Sequence, residues 1–230
     1  MARFEVEDIR LHFDQIANEY DAGKKRQSYY YDQLIRIYRQ RIPPGAAVLD
    51  VGCGTGTILH SIAPGRGVGL DLSPEMIALA QRKFPELEFR VEDIGRPSPR
   101  EAFDFVMLAD VLEHLPDLDA ALEGLKSYGD MRTRYICTAL NPLWEPIVHL
   151  AEALRLKLPE GKHEWISRRE FSARLEQHDF VIEESEGRIL APKRVPLMSD
   201  AANVLAERWQ WLRPLCLIMV IVFRQRASEA

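Results

Sequence analysis

The stretch Val48-Leu49-Asp50-Val51-Gly52-Cys53-Gly54-Thr55-Gly56-Thr57 decides the fold of this 230-residue chain. Pro43-Pro44-Gly45 breaks whatever precedes it. Ala46 to Val51 is a short apolar run, too short for a helix and suited to a strand buried on both faces. Thr57-Ile58-Leu59-His60-Ser61-Ile62 then begins a helical pattern. A buried strand therefore ends at Asp50, turns on glycines and opens a helix. Glycine tolerates positive φ and lets a ligand lie against bare backbone. The helix start offers N–H groups with no partner inside the helix. Such a turn suits a nucleotide-bearing cofactor.

The spacing narrows which cofactor. The glycines fall at 52, 54 and 56, a G-x-G-x-G pattern, whereas the dinucleotide fingerprint would place glycine at Thr57. Asp50 lies just before the turn, where a carboxylate opposes a pyrophosphate and suits an ammonium group. This run resembles motif I of the class I S-adenosylmethionine-dependent methyltransferases, close to V-L-D-x-G-C-G-T-G. Asp110-Val111-Leu112-Glu113-His114-Leu115 is similar to a second segment of that family, V-L-E-H-L, which lies under the cofactor and beside the acceptor pocket. Phe13-Asp14-Gln15-Ile16-Ala17-Asn18-Glu19-Tyr20-Asp21 resembles the F-D-x-x-A-x-x-Y-D lead-in of many small-molecule members. Gly161-Lys162-His163-Glu164-Trp165 resembles the G-x-H-x-W segment of the quinone-type O-methyltransferases.

Bulk properties agree with a soluble, cytoplasmic globular protein of one domain. The formal charge of −5 gives no basic field for nucleic acid. Cys53, Cys137 and Cys216 are unpatterned, so free thiols are expected and no metal site. The N-terminus lacks the apolar core of a signal peptide. The longest apolar run, residues 215–223, falls far short of the roughly 20 residues of a membrane span.

In chain order, residues 8–20 and 27–41 read as helices, with Lys24-Lys25-Arg26 in a loop between them. The aromatics of the second helix read as core. Strand two is 68–71, ending in Asp71, and Ser73-Pro74 starts the next helix. Strand three is 87–91 and strand four 103–109. Residues 117–127 are helical, and strand five surrounds Tyr135-Ile136-Cys137-Thr138-Ala139. Leu143, Ile147, Leu150, Ala151, Leu154 and Leu158 make one apolar stripe at helical spacing, read as a lid over the acceptor pocket. A face resting on a membrane or a partner, through 143–158, is the alternative reading. Ser167 caps a helix over 168–177. Strand six starts at Phe180, a short helix lies near 200–209, and 215–223 is the last strand, with a frayed tail from Arg224. Lys193, Arg194, Arg208 and Arg213 form one locally basic region, read as solvated surface or as a seat for an anionic acceptor.

The resemblance implies an α/β fold, a Rossmann-like seven-stranded sheet of order 3-2-1-4-5-7-6 with strand 7 antiparallel. It divides the single domain into an N-terminal helical cap (1–42), a cofactor-binding core (43–142), a lid insertion (143–166) and a C-terminal helix and hairpin (167–226) with an insertion at 191–213. It implies S-adenosyl-L-methionine as cofactor and a small-molecule acceptor, with oxygen the favoured target. Asp50 and the backbone of Gly52, Cys53 and Gly54 would hold the methionine part, with Tyr20 facing it. Asp71, with Leu72 beside it, would take the ribose diol, since one carboxylate accepts from two hydroxyls. Asp93 and Ile94 would meet the adenine, with Met76 either over its face or in the core, and Ala109 and Asp110 complete the contacts. His163 is the candidate base or orienting group. His114 is read as a histidine fixed beneath the cofactor rather than as a base. Rival readings are an N- or C-methyltransferase, a cofactor-binding protein without turnover, and a nicotinamide-dependent oxidoreductase.

Overall fold

Seven strands hydrogen-bond into one sheet in the computed structural model, which describes residues 5–98, 101–154, 164–195 and 198–227. β1 (Ala47–Val51) lies between β2 (Arg66–Asp71) and β4 (Phe105–Ala109), parallel to both. β3 (Glu88–Val91) and β5 (Arg134–Leu140) extend the parallel part on either side. β7 (Ile218–Gln225) runs antiparallel between β5 and β6 (Phe180–Arg188), giving the order 3-2-1-4-5-7-6 expected from the sequence. Side chains alternate across each strand. Leu49, Val51, Val106, Leu108, Tyr135, Cys137, Ile221 and Phe223 therefore share one core, and Val48, Met107, Ile136, Val220 and Val222 the other. Strands buried on both faces need apolar residues at nearly every position, which is why they read as continuous runs.

Two helices close over the sheet's carboxyl edge. α1 (Val6–Arg26) is longer than the 8–20 expected, and α2 (Ser28–Arg39) follows almost at once. Lys24-Lys25-Arg26, expected in a loop, form the last turn of α1, where cations complement the helix dipole. α1 is latched to the core by its acids. Asp14 accepts from the Ser73 hydroxyl (2.6 Å), next to α4 (Pro74–Lys83). Asp21 accepts from the Thr55 hydroxyl (2.6 Å) and pairs with Lys83 (2.7 Å). Burial works against the Asp21 charge, but the bonds from Lys83 and Thr55 outweigh it and hold the carboxyl below its ordinary range. α3 (Thr57–Ser61) follows the glycine turn, and α5 (Leu118–Leu125) follows β4.

After β5 come α6 (Glu145–Ala153), α7 (Arg168–Gln177) and α8 (Met198–Arg208). Ser167 caps α7, its hydroxyl accepting from Glu170 N at 3.2 Å. The last strand begins at Ile218, three residues later than expected, and continues through the Arg224 expected to fray. The cause lies outside the local sequence. Residues 210–215 form a 3₁₀ turn around Pro214. Asn141 Nδ2 takes the carbonyls of Pro214 and Cys216, and Trp144 Nε1 that of Leu215, so these groups are satisfied by side chains and not by a ladder. β6 is an edge strand carrying charge. Arg41 pairs with Glu184 and Glu186, while Arg134 and Arg224 pair with Glu183. Among the described residues, no helix is long and apolar enough to cross a membrane.

Candidate functional site

The carboxyl ends of β1, β2 and β4 open into a cavity of about 1030 Å³, roofed by α1, α2 and α6. The glycine turn forms its floor. Gly52 N and Cys53 N donate to Leu70 O at 2.8 and 2.9 Å, which bends the chain back toward β2. Gly52 and Gly54 have φ of 72° and 53°. A Cβ on Gly52 would stand 2.3 Å from Val111 Cγ2, and one on Gly54 would stand 3.0 Å from Tyr20 Cε1. The turn is thus bare backbone gripped between Val111 and the Tyr20 ring, and a side chain there would have no room.

Acids surround this floor. Asp71 is wired to it, Oδ2 accepting from Gly54 N (2.8 Å) and Oδ1 from Ser73 N (2.9 Å). Burial raises the Asp71 carboxyl above its ordinary value, and those two N–H bonds oppose the rise. Asp50 is 1% exposed, and its Oδ1 has no hydrogen-bond partner. Burial pushes its pKa from 3.8 to about 8, with Lys24 opposing and Asp71 adding. A buried carboxylate oxygen without a donor is costly, which favours the protonated form. Asp93 Oδ1 accepts from Gly95 N at 2.9 Å, which orients the loop after β3. Asp110, at φ 52°, accepts from the Thr138 hydroxyl (2.9 Å) and from the Tyr30 hydroxyl. Burial and the Asp110 charge push the Tyr30 phenol well above its ordinary value, so it stays a donor.

A model of the methyltransferase domain matches residues 42–184, which takes in the glycine turn, the acids and most of the sheet. The chain belongs to the methyltransferase-domain family. It is a class I S-adenosylmethionine-dependent methyltransferase. It is 28% identical to a ubiquinone biosynthesis O-methyltransferase of Bradyrhizobium diazoefficiens, over 73% of this chain and 73% of that protein. A protein of the same name from Xanthomonas axonopodis pv. citri is 30% identical over 66% of this chain and 70% of its own. Among solved structures, the fold is similar to a putative methyltransferase of Haloferax volcanii in complex with the Trm112 methyltransferase activator. The TM-score is 0.71 and the identity 20%, covering 96% of this chain and 99% of that one.

Most of the residues singled out from the sequence of this methyltransferase meet at the cavity. Tyr20, Gly52, Gly54, Asp71, Leu72, Asp93, Ile94, Ala109, Asp110 and His114 all line it. Three do not. Asp50 and Cys53 lie buried behind the wall, and Met76 is fully buried in the first turn of α4. Met76 therefore belongs to the packing under α4, while Leu72 and Ile94 line the cavity. His114 meets the Phe13 ring edge-on, with centroids 5.2 Å apart. His163 lies outside the described residues, as does Leu158 of the lid stripe.

The aromatics of α2 read as core from their spacing, and Tyr30 and Tyr38 are both buried in one core cluster. Tyr38 is core, its hydroxyl donating to Leu108 O at 3.0 Å. Tyr29, Tyr30 and Tyr31 all reach the cavity. The triple repeat was the available signal, because three consecutive helical residues fan over more than half the circumference and cannot all face one core. α6 presents Ile147 and Leu150, and its C-cap Leu154, to the cavity while they stay more than half exposed, and within α6 Val148 alone is buried.

Proposed function

We propose that this methyltransferase binds S-adenosylmethionine across the carboxyl ends of β1, β2 and β4 and moves its methyl group to an oxygen of a small molecule seated between α2 and α6. The observation that carries the reading is the partnerless Asp50 Oδ1 behind a positive-φ glycine turn. From behind the turn, the Asp50 charge favours an ammonium group on the cavity side and opposes a pyrophosphate. Asp71 would take the ribose diol and Asp93 with Ile94 the adenine edge, while the Tyr20 ring would close over the methionine end.

When bound, the cofactor supplies a methyl group already activated by a sulfonium. The protein's own work is then alignment and exclusion of water. Holding two reactants in line accounts for about 7–11 kcal/mol of barrier reduction. The α1 latch keeps Phe13 and Tyr20 over the site, and the aliphatic face of α6 keeps water from the acceptor side. Oxygen as the target is supported by the names of the relatives, which are O-methyltransferases. A hydroxyl acceptor must lose a proton, a step at which a positioned base contributes roughly 10²–10⁴-fold. His163 remains the candidate for it.

Calorimetric titration with S-adenosylhomocysteine tests the reading. The wild-type chain binds it, and Asp71→Ala weakens binding by about tenfold or more, the worth of one charge-assisted bond. Unchanged affinity in the variant, or a preference for a nicotinamide dinucleotide, overturns it.

A further inference from the structure

The cavity lining carries charge from opposite ends of the sheet. Asp71 and Asp93 come from the ends of β2 and β3, while Lys193 and Arg194 come from the loop after β6, and Lys24 and Arg26 of α1 also line the space. These cations stand out in a chain of net charge −5. Arg213 of the same basic region is ion-paired, meeting Glu186 at 3.3 Å. Lys193 and Arg194 have no ion pair among the described residues. Arg208, the fourth member of that region, does not reach the cavity.

The loop that carries the two cations is held in place. Ser199 and Asn203 are buried polar residues of α8, and both spend their side chains on it. Asn203 Oδ1 accepts from Ala191 N (2.8 Å) and its Nδ2 donates to Ala191 O (3.1 Å). Ser199 Oγ donates to Lys193 O and accepts from Val195 N at 2.8 Å. Asn203 Nδ2 also reaches the Tyr29 hydroxyl (3.1 Å), tying the loop to α2. Two buried side chains that fix one exposed loop make a rigid platform for its charges. Between that platform and the glycine turn the wall is apolar: Leu115, Leu140, Trp144, Val148, Ala151 and Leu217. Ile147, Leu150 and Leu154 face the same space and are 54–60% exposed without a ligand.

We propose that the methyl acceptor is an amphipathic anion. Its apolar body lies along α6, and its carboxylate or phosphate end is held by Lys193 and Arg194. This rests on the reading of the cavity as the acceptor site. Lys193 and Arg194 belong to the β6 edge of the sheet and Asp71 and Asp93 to the β2–β3 edge, so charge as well as shape would sort acceptor from cofactor. An aliphatic body covers the open face of α6, and a fixed pair of cations gives charge-assisted bonds to the head.

The test is calorimetric titration with decyl phosphate below its micelle concentration, with decanamide of the same chain length, and with inorganic phosphate. Each is run with and without S-adenosylhomocysteine. Decyl phosphate binds about tenfold or more tighter than either comparison probe. The double variant Lys193→Ala/Arg194→Ala abolishes the preference over decanamide and still binds S-adenosylhomocysteine. Ile147→Ser weakens both amphiphiles alike. Equal affinity for the two amphiphiles, or a preference that survives the double variant, overturns the proposal. So does adhesion to phosphatidylglycerol vesicles without uptake of monomeric decyl phosphate, which would make the cations a lipid-surface contact. Loss of S-adenosylhomocysteine binding in the wild-type chain counts against the methyltransferase reading of the site; its retention without a head-group preference counts against the amphipathic anion alone.

Discussion

Replacing Asp50 with asparagine should make the ligand-free protein more stable at neutral pH while weakening its hold on the cofactor. In the folded chain burial pushes the Asp50 carboxyl from 3.8 to about 8, and in the unfolded chain it titrates near its ordinary value. Between those limits the folded state keeps a proton that the unfolded state has released. The stability from this protonated form is whole below the unfolded pKa and is lost as pH rises toward the folded one, by about 1.4 kcal/mol per pH unit. From pH 5 to pH 7 the loss is about 2.7 kcal/mol. An amide side chain has no proton to lose in this range, so Asp50→Asn escapes the loss. Asp71, raised in the same direction by its own burial, is common to both chains, so their difference reads Asp50 together with its coupling to Asp71. Urea denaturation of the two ligand-free chains at pH 5, 6 and 7 reads that difference. Binding runs the other way, because the ligand ammonium needs the ionised carboxylate. At pH 7 a group raised to about 8 is mostly protonated, so binding S-adenosylhomocysteine releases a proton from it. Calorimetry in two buffers of different ionisation heat measures the release. Parallel stability profiles for the two chains, or binding without proton release, would refute the reasoning.

Two further outcomes test the packing behind the site. A Cβ on Gly124 of α5 would stand 1.7 Å from Ile94 O, so Gly124→Ala must push away the loop bearing Asp93 and Ile94. It should cost about 1–3 kcal/mol and weaken S-adenosylhomocysteine binding as well, and an unchanged denaturation midpoint contradicts that contact. Tyr30→Phe removes the phenol that donates to Asp110. A loss of about 1.5–3 kcal/mol is expected for a bond to a charged group, read by denaturant unfolding at pH 7, and a loss below about 0.5 kcal/mol counts against it.

What the sequence revealed, and what it hid, divides by range. The run from Val48 to Thr57 was legible because its chemistry is local: a two-faced strand, bare glycines and an acid before them. The sheet order followed from the resemblance, since the pairing partners of a strand are not written in the strand. The start of β7 was hidden because Asn141 and Trp144, some seventy residues upstream, occupy the carbonyls of 214–216. Met76 looked available because helix position alone does not say which way a first turn faces. Tyr30 was missed for the complementary reason: a buried helical aromatic reads as core whether or not its hydroxyl ends at a cavity. Of the four basic residues near 193–213, only the fold separated the pair at the cavity from the one held by Glu186 and from Arg208.

The charged outer strand has a bearing on how the molecule behaves at high concentration. An incoming chain that sought to add itself beside β6 would have to pry Glu183, Glu184 and Glu186 from the arginines that hold them. At the opposite margin β3 is four residues long and ends under a knot of Glu88, Arg90 and Glu101. Neither flank is a template for runaway strand addition, so a sheet this greasy on both faces can be crowded without seeding fibres.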